Sequence, residues 1–355
     1  MNNCQRLSHL LPSGIDCALI TSDINRRYLT GMKSSAGYVV VLPEKSYLLV
    51  DFRYYEKAKN TVFDCEVVRY TSLKENLNDI ISKHNIKNIA IESKTLTVGE
   101  LATFKRLFPD IDFISDDSLS DLINNLRIKK TEFEVECITR AQRIAESAFD
   151  ELLNYIAIGK TERDLALYLD YQMQKRGSEG VSFETIALSG ANTSMPHGVP
   201  GDKKIADNEF LLFDFGAVYN GYHSDMTRTV CLGNPTDEMV KVYDTVLKAQ
   251  LASLEKIKAG ESSKEIDLVA RKIISDAGYG EYFGHSLGHG VGLEIHELPT
   301  ASPNSDMILE ENMILTVEPG IYLPSKFGVR IEDFVQITAF GCENITKSKK
   351  NLICL

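Results

Sequence analysis

Phe210-Leu211-Leu212-Phe213-Asp214-Phe215-Gly216-Ala217-Val218-Tyr219-Asn220-Gly221-Tyr222-His223-Ser224-Asp225 sets two aspartates around an Asn-Gly pair in an otherwise mostly apolar and aromatic stretch. It reads as an apolar strand, a tight turn and the start of a second strand. Asn-Gly is the strongest short hairpin signal and favours a two-residue type I′ turn. With Asn220 and Gly221 as that turn, Tyr219 faces Tyr222 and Gly216 faces Asp225. Asp214 then lies two residues from Gly216, on the face that carries Asp225. Diagonal neighbours of this kind are about 7–8 Å apart, close enough for side chains to converge on one object. An odd-length loop would put the two on opposite faces. An unpartnered charge in so apolar a strand costs several kcal/mol, and two carboxylates on one face repel unless a cation lies between them.

Outward from the hairpin the same order of elements occurs twice. Upstream, Ile138, Ala141, Ile144, Ala145, Ala148, Phe149, Leu152, Leu153 and Ile156 recur at three- and four-residue steps, one apolar helix face that Gly159 ends. Thr161 caps a second helix with Asp164 in its first turn, running to Gly177. Strands follow at Phe183–Leu188, Phe210–Ala217 and His223–Cys231. Downstream, helices are expected at Asp237–Lys258 and Ser263–Asp276, then strands at Met313–Glu318, Ile321–Leu323 and Gly328–Thr338. The second copy of this helix-helix-strands unit begins near Thr236.

Between the second helix pair and its strands lies Gly284-His285-Ser286-Leu287-Gly288-His289-Gly290-Val291-Gly292-Leu293-Glu294-Ile295-His296-Glu297, which holds three of the seven histidines. Histidines this dense in a glycine-rich segment are typical of a metal or proton-transfer site. Glu318 ends the strand before Pro319-Gly320. In Gly328–Val335, Val329 and Ile331 can face a core while Arg330 and Glu332 share the other face. Two Asp, two Glu and a His make an oxygen-rich site suited to Mn, Co, Fe or Zn. Five ligands exceed what one zinc takes and fit two ions about 3.5–4 Å apart.

The 355 residues are 43% hydrophobic and 25% charged, with a formal net charge of −11. The length fits about two domains. So acidic a chain is a poor binder of nucleic acid or anionic membranes. No apolar run reaches the roughly 20 residues of a membrane span. Met1–Arg6 lacks the features of a signal peptide, and the seven cysteines form no CxxC pair, so free thiols and a cytoplasmic location are expected. Residues 1–125 read as a small α/β domain, with strands at Cys17–Ile20, Tyr38–Leu42, Tyr47–Val50 and Ile89–Glu92 and helices at Ser72–His84 and Thr97–Leu107. Asp51–Tyr55 reads as a strand-end ion pair with aromatic packing. The polar junction Arg127–Glu132 leads into residues 126–355.

The segments Phe213–Gly216, Ser224–Thr229, Gly288–Glu297, Thr316–Tyr322 and Gly328–Asp333, in this order, resemble the motif set of the proline-specific metallopeptidases, prolidase (Xaa-Pro dipeptidase) and aminopeptidase P. The resemblance covers the C-terminal two-thirds; the N-terminal third is more loosely similar to the creatinase/prolidase N-terminal domain. It implies an α/β (α+β) chain whose catalytic domain has the duplicated pita-bread fold. It implies that Asp214, Asp225, His289, Glu318 and Glu332 hold two divalent ions, manganese first, with cobalt, zinc or iron as alternatives. It places His197, His285 and His296 at the substrate pocket, Arg330 in support of it, and Glu318 also as proton shuttle. The implied reaction is hydrolysis of the bond between an N-terminal residue and a following proline by a hydroxide held between the two ions. The implied substrate is a small peptide with proline second, acted on by a homodimer. Methionine aminopeptidases lack the N-terminal domain and creatinase lacks the ligand set. Another pita-bread aminopeptidase, or an inactive peptidase-like binding module, are the alternatives.

Overall fold

The computed structural model describes residues 1–355. The chain divides into two compact units, Met1–Arg127 and Ile128–Leu355. The first is built on a six-stranded mixed sheet of β1 (Cys17–Ile20), β2 (Tyr38–Val41), β3 (Ser46–Val50), β4 (Glu66–Arg69), β5 (Asn88–Ile91) and β6 (Asp112–Ile114), in the order β4-β3-β2-β1-β5-β6. Its helices are α1 (Asn3–Leu10), α2 (Asp23–Thr30), α3 (Phe52–Thr61), α4 (Leu73–His84), α5 (Val98–Leu107) and α6 (Ser118–Ile128). The near-continuous apolar strands are buried throughout, as a covered mixed sheet requires. Asp51 caps α3 rather than ending a strand. The expected ion pair with Arg53 forms at 2.6 Å, but Phe52 is 71% exposed and packs no core.

In the second unit, Thr131 and Glu134 form a capping box that starts α7 (Glu132–Tyr155). Ile138, Ala141, Ala145, Ala148, Phe149 and Leu152 line its buried face. Thr161 and Asp164 repeat the device at α8 (Glu162–Lys175). Strands β7 (Ile186–Ser189) and β8 (Glu209–Phe215) lead to the small ribbon β9 (Val218–Tyr219) and β10 (Tyr222–His223), then β11 (Met226–Leu232). The three-stranded antiparallel sheet runs β11-β8-β7. The second copy has α9 (Asp237–Lys256), capped by Thr236, and α10 (Ser263–Asp276). After it come β12 (Gly288–Gly290), β13 (Glu297–Ala301), β14 (Ile314–Val317), β15 (Gly320–Leu323), β16 (Phe327–Arg330), β17 (Asp333–Ile337) and β18 (Cys342–Asn344). Its three-stranded sheet runs β14-β17-β18. Each copy has its own apolar core, one around Phe149, Leu169 and Phe213 and one around Tyr243, Ile266 and Leu315.

The Asn-Gly turn sets the register. Asn220 and Gly221 have φ of 48° and 81°, as a type I′ turn needs. Tyr222 pairs with Tyr219, and the same register carries Met226 onto Phe215 and Thr227 onto Asp214. Two expected strands prove to be broken. His223–Cys231 is interrupted at Ser224-Asp225, where a Cβ on Gly216 would lie 1.9 Å from the Ser224 carbonyl oxygen. Gly328–Thr338 is interrupted at Ile331-Glu332, because β16 pairs with β15 whereas β17 pairs with β14 and β18. The chain changes sheet at Glu332, whose N–H donates to the Thr227 carbonyl at 3.1 Å.

Candidate metal centre

Asp214, Asp225, His289, Glu318 and Glu332, from five segments of both copies, meet at one cavity of about 490 Å³. Asp214 is the penultimate residue of β8, Asp225 lies in the break before β11, His289 on β12, Glu318 just after β14 and Glu332 in the break before β17. Asp225, His289 and Glu332 each offer a ligand atom, and these atoms lie within 4.8 Å of one another. The His289 Nε2 lies 3.6 Å from Asp225 Oδ2 and 3.4 Å from Glu318 Oε1.

His289, Glu318, Glu332 and Asp214 are held from behind. His289 Nδ1 lies 3.1 Å from the Gly290 carbonyl, which can only accept, so Nδ1 carries the proton and the Nε2 lone pair faces the carboxylates. The Thr316 hydroxyl accepts from the His289 N–H at 2.9 Å and donates to Glu318 Oε1 at 3.3 Å. A Cβ on Gly288 would fall 1.9 Å from the Thr316 carbonyl oxygen, so only glycine lets β12 run this close to β14. The Thr227 hydroxyl donates to Glu332 Oε2 at 2.8 Å and accepts from Arg330 Nε at 3.0 Å. Behind Glu332, Asp333 takes hydrogen bonds from Arg228 at 2.7 Å, Gln250 at 3.0 Å and Asn344 at 2.8 Å.

The electrostatics ask for positive charge. Burial, reinforced by the Asp214 and Glu318 carboxylates, holds Asp225 well above the usual carboxylate range. Burial and Asp225 do the same to Glu332. Burial pushes Glu318 up to about 8 and lowers His289 to about 4. Asp214 Oδ1 and Glu332 Oε1 are buried with no hydrogen-bond partner. Orphaned buried carboxylate oxygens are rare. Two of them, with a lone pair aimed at the same point, fit a cradle for divalent cations.

Arg330 Nη2 donates to Asp214 Oδ2 at 2.6 Å, and Nη1 to the Tyr322 hydroxyl at 2.9 Å and the Pro196 carbonyl at 3.3 Å. With Nε on Thr227, it organises the site rather than reaching for a ligand. His285 lines the cavity, but both its ring nitrogens are engaged. Nδ1 faces the Ser286 carbonyl at 2.8 Å, so Nε2 accepts from the Tyr322 hydroxyl at 2.9 Å. Burial and Arg330 lower His285 to about 4, and burial lifts Tyr322 to about 12. His197 and His296 are exposed at the cavity, the latter with its ring 4.4 Å from that of His289. Phe183, Ile186, Val199 and Ile295 add apolar wall.

Sequence reasoning missed the hydroxyls of Thr227 and Tyr322 as well as the Arg271–Asp267 pair on α10. Arg271 donates to the Phe283 and His285 carbonyls at 3.0 and 2.7 Å, and Asp267 accepts from Leu287 N–H at 3.0 Å, so the pair clamps the histidine segment. The i, i+4 spacing of Asp267 and Arg271 was the available signal.

A buried carboxylate–imidazole cluster opening on a cavity, between two copies of one helix-helix-strands unit, is the layout of a metal-using hydrolase. Metallopeptidase family M24 matches residues 136–339 and the Creatinase/Prolidase N-terminal domain matches residues 6–129, and the chain belongs to this family, with the pita-bread fold in its second unit. The Xaa-Pro dipeptidase from Bacillus anthracis is 40% identical, with a TM-score of 0.95 over 99% of both chains. The X-Pro aminopeptidase from Thermotoga maritima MSB8 is 38% identical, with a TM-score of 0.93 over 99% of this chain and 100% of that one. The Xaa-Pro dipeptidase of Pyrococcus horikoshii is 39% identical over 96% of this chain and 95% of its own. No helix is long and apolar enough to cross a membrane.

Proposed function

We propose that this chain is a metal-dependent Xaa-Pro peptidase of the prolidase type, cleaving the bond between an N-terminal residue and a following proline. The convergence of Asp214, Asp225, His289, Glu318 and Glu332 beside one cavity carries the reading, and the dipeptidase names of its relatives support the substrate class. These five residues would hold two divalent cations, manganese first, with cobalt, zinc or iron as alternatives; four carboxylates to one imidazole favour such ions. When bound, they polarise a carbonyl and make water acidic enough to lose a proton near neutral pH.

The chain's own groups do the rest. Glu318, just after β14 and lining the cavity, takes the proton from the attacking water and passes it to the leaving proline nitrogen. His197 and His296 offer N–H groups to the carbonyl oxygen as it gains charge. Arg330 fixes Asp214 and, through Tyr322, His285. Phe183, Ile186, Val199 and Ile295 receive the pyrrolidine ring, and an X–Pro bond, having no N–H, asks for no acceptor there. The same proposal places catalysis in residues 126–355, with 1–125 as the N-terminal domain. It also places the enzyme in the cytoplasm as a homodimer acting on small peptides, with neither nucleic acid nor membrane as partner, in keeping with the charge of −11.

The deciding experiment gives the manganese-loaded protein an X-Pro dipeptide, an X-Pro-Y-Z peptide and a methionine-initiated peptide without proline. Proline release from the dipeptide is expected to be fastest. Faster cleavage of the X-Pro-Y-Z peptide moves the assignment to the aminopeptidase P type, and cleavage of the methionine peptide alone sinks it.

A further inference from the structure

We propose that Glu162 is a positioning residue that holds His197 at the cavity by fastening both ends of the loop 189–201; the proposal rests on the reading that His197 acts on substrate. Glu162 is the first residue of α8 and only 1% exposed. Its carboxylate gathers four donors. Oε1 accepts from the Ser189 N–H at 2.8 Å, the Ser189 hydroxyl at 3.1 Å and the Asn192 side-chain amide at 3.0 Å. Oε2 accepts from the Gly201 N–H at 3.2 Å. One oxygen thus takes the start of the loop and the other its end.

The main chain beside it adds two ties, Glu162 N–H to the Lys203 carbonyl at 3.1 Å and Arg163 N–H to the Gly201 carbonyl at 3.0 Å. Midway, the Thr193 hydroxyl accepts from the Gly328 N–H at 2.8 Å, and Arg330 holds the Pro196 carbonyl. His197 directly follows that anchored carbonyl. It and Val199 are exposed while both ends of the loop are tied down. The loop is therefore stretched between the Glu162 carboxylate and the guanidinium that also holds Asp214. Such an arrangement sets where His197 stands relative to the ligand cluster.

The site demands a carboxylate. Four donors converge, so the group between them must accept at both ends and donate nowhere. Glutamine has the same length but turns an NH₂ toward either the Gly201 or the Ser189 N–H, releasing one end of the loop. Aspartate is one methylene shorter and cannot span both.

The test uses E162Q, H197A and the double variant of the full-length, manganese-loaded protein. Hydrogen exchange of the amides in 189–201 should quicken in E162Q and stay at the wild-type rate elsewhere. Toward an X-Pro dipeptide, E162Q should lower kcat/KM on the order of 10- to 100-fold, mainly through kcat. H197A should lower it on the order of 100-fold, and the double variant should lose no more than H197A alone. Unchanged exchange in E162Q overturns the fastening. Multiplicative losses in the double variant, or full activity in H197A, overturn the link to His197. A wild-type protein inert toward all X-Pro peptides overturns the functional reading instead, while the exchange result still decides the fastening.

Discussion

Replacing Thr227 by valine removes one hydroxyl that ties the first copy of the unit to Glu332 and Arg330 of the second. Thr227 is wholly buried on β11. Its hydroxyl gives its proton to Glu332 Oε2 at 2.8 Å and receives one from Arg330 Nε at 3.0 Å. Valine fills nearly the same volume, so no cavity opens and the loss is electrostatic. Hydrogen bonds to charged groups contribute about 1.5–3 kcal/mol each. The two share one atom and cannot be fully additive, which puts the cost at about 2–5 kcal/mol. At about 2–4 °C per kcal/mol for a domain of this size, thermal unfolding should drop by roughly 4–20 °C. Glu332 Oε1 already lacks a protein partner, so T227V leaves the whole carboxylate unsupported. Manganese affinity and kcat/KM should each fall about 10- to 100-fold. Calorimetric titration with Mn²⁺ and steady-state kinetics on an X-Pro dipeptide read both, and T227S should restore most of the loss. A T227V protein that melts within about 2 °C of wild type (below the roughly 4 °C expected) and binds manganese equally well would refute the role given to this hydroxyl.

Two further outcomes follow from the same geometry. In chelated protein, Glu318, Asp225 and Glu332 titrate above their unfolded values, so the stability they contribute is present at acid pH and lost as pH rises, for Glu318 through about 8. His285 and His289, lowered to about 4, act oppositely: their contribution is present above about 6.5 and lost as pH falls toward 4. The two trends offset one another between about pH 4.5 and 6.5, so the melting temperature of chelated protein should decline between about pH 6.5 and 8 and recover on adding Mn²⁺; a flat chelated profile there contradicts the assignment. K130M breaks the buried Lys130–Glu297 pair, 2.9 Å apart with side chains 1% and 6% exposed, and should destabilise the protein by about 3–5 kcal/mol in a denaturant titration. Because Glu297 Oε1 also holds the Glu294 N–H, it should raise KM through the neighbouring His296 as well.

What could be read from the chain was whatever its local pattern encodes. The Asn220-Gly221 turn fixed the register of two ladders, since a two-residue loop leaves one pairing only. The long 3.6-residue repeat marked α7 and the Thr161 cap marked α8, while the Thr131 cap of α7 went unread. The breaks at Asp225 and Glu332 were not legible. Both strands look continuous in hydrophobicity, and only the change of sheet partner interrupts them. The short helices α1 and α2 escaped notice because each spans little more than two turns, and α3 because Asp51–Tyr55 reads as the end of a strand. At the site, the segments that meet at the cavity were recognisable because they carry carboxylates and histidines in apolar or glycine-rich surroundings. Their supports were not, because Thr227–Glu332, Arg330–Asp214 and Glu162–Ser189 join residues far apart in sequence. A threonine in a strand and a glutamate opening a helix are ordinary until the partner is seen.

On the function proposed above, five side chains from two copies of one unit act together as a metal centre for X-Pro hydrolysis. The most direct measurement is the metal content of manganese-equilibrated protein after desalting, taken alongside proline release, for wild type and H289A. Two ions per wild-type chain are expected, with activity abolished by chelation and restored by Mn²⁺, and weakened occupancy with little proline release in H289A. Wild-type protein that retains no metal, or that releases proline at an unchanged rate after chelation, would contradict it.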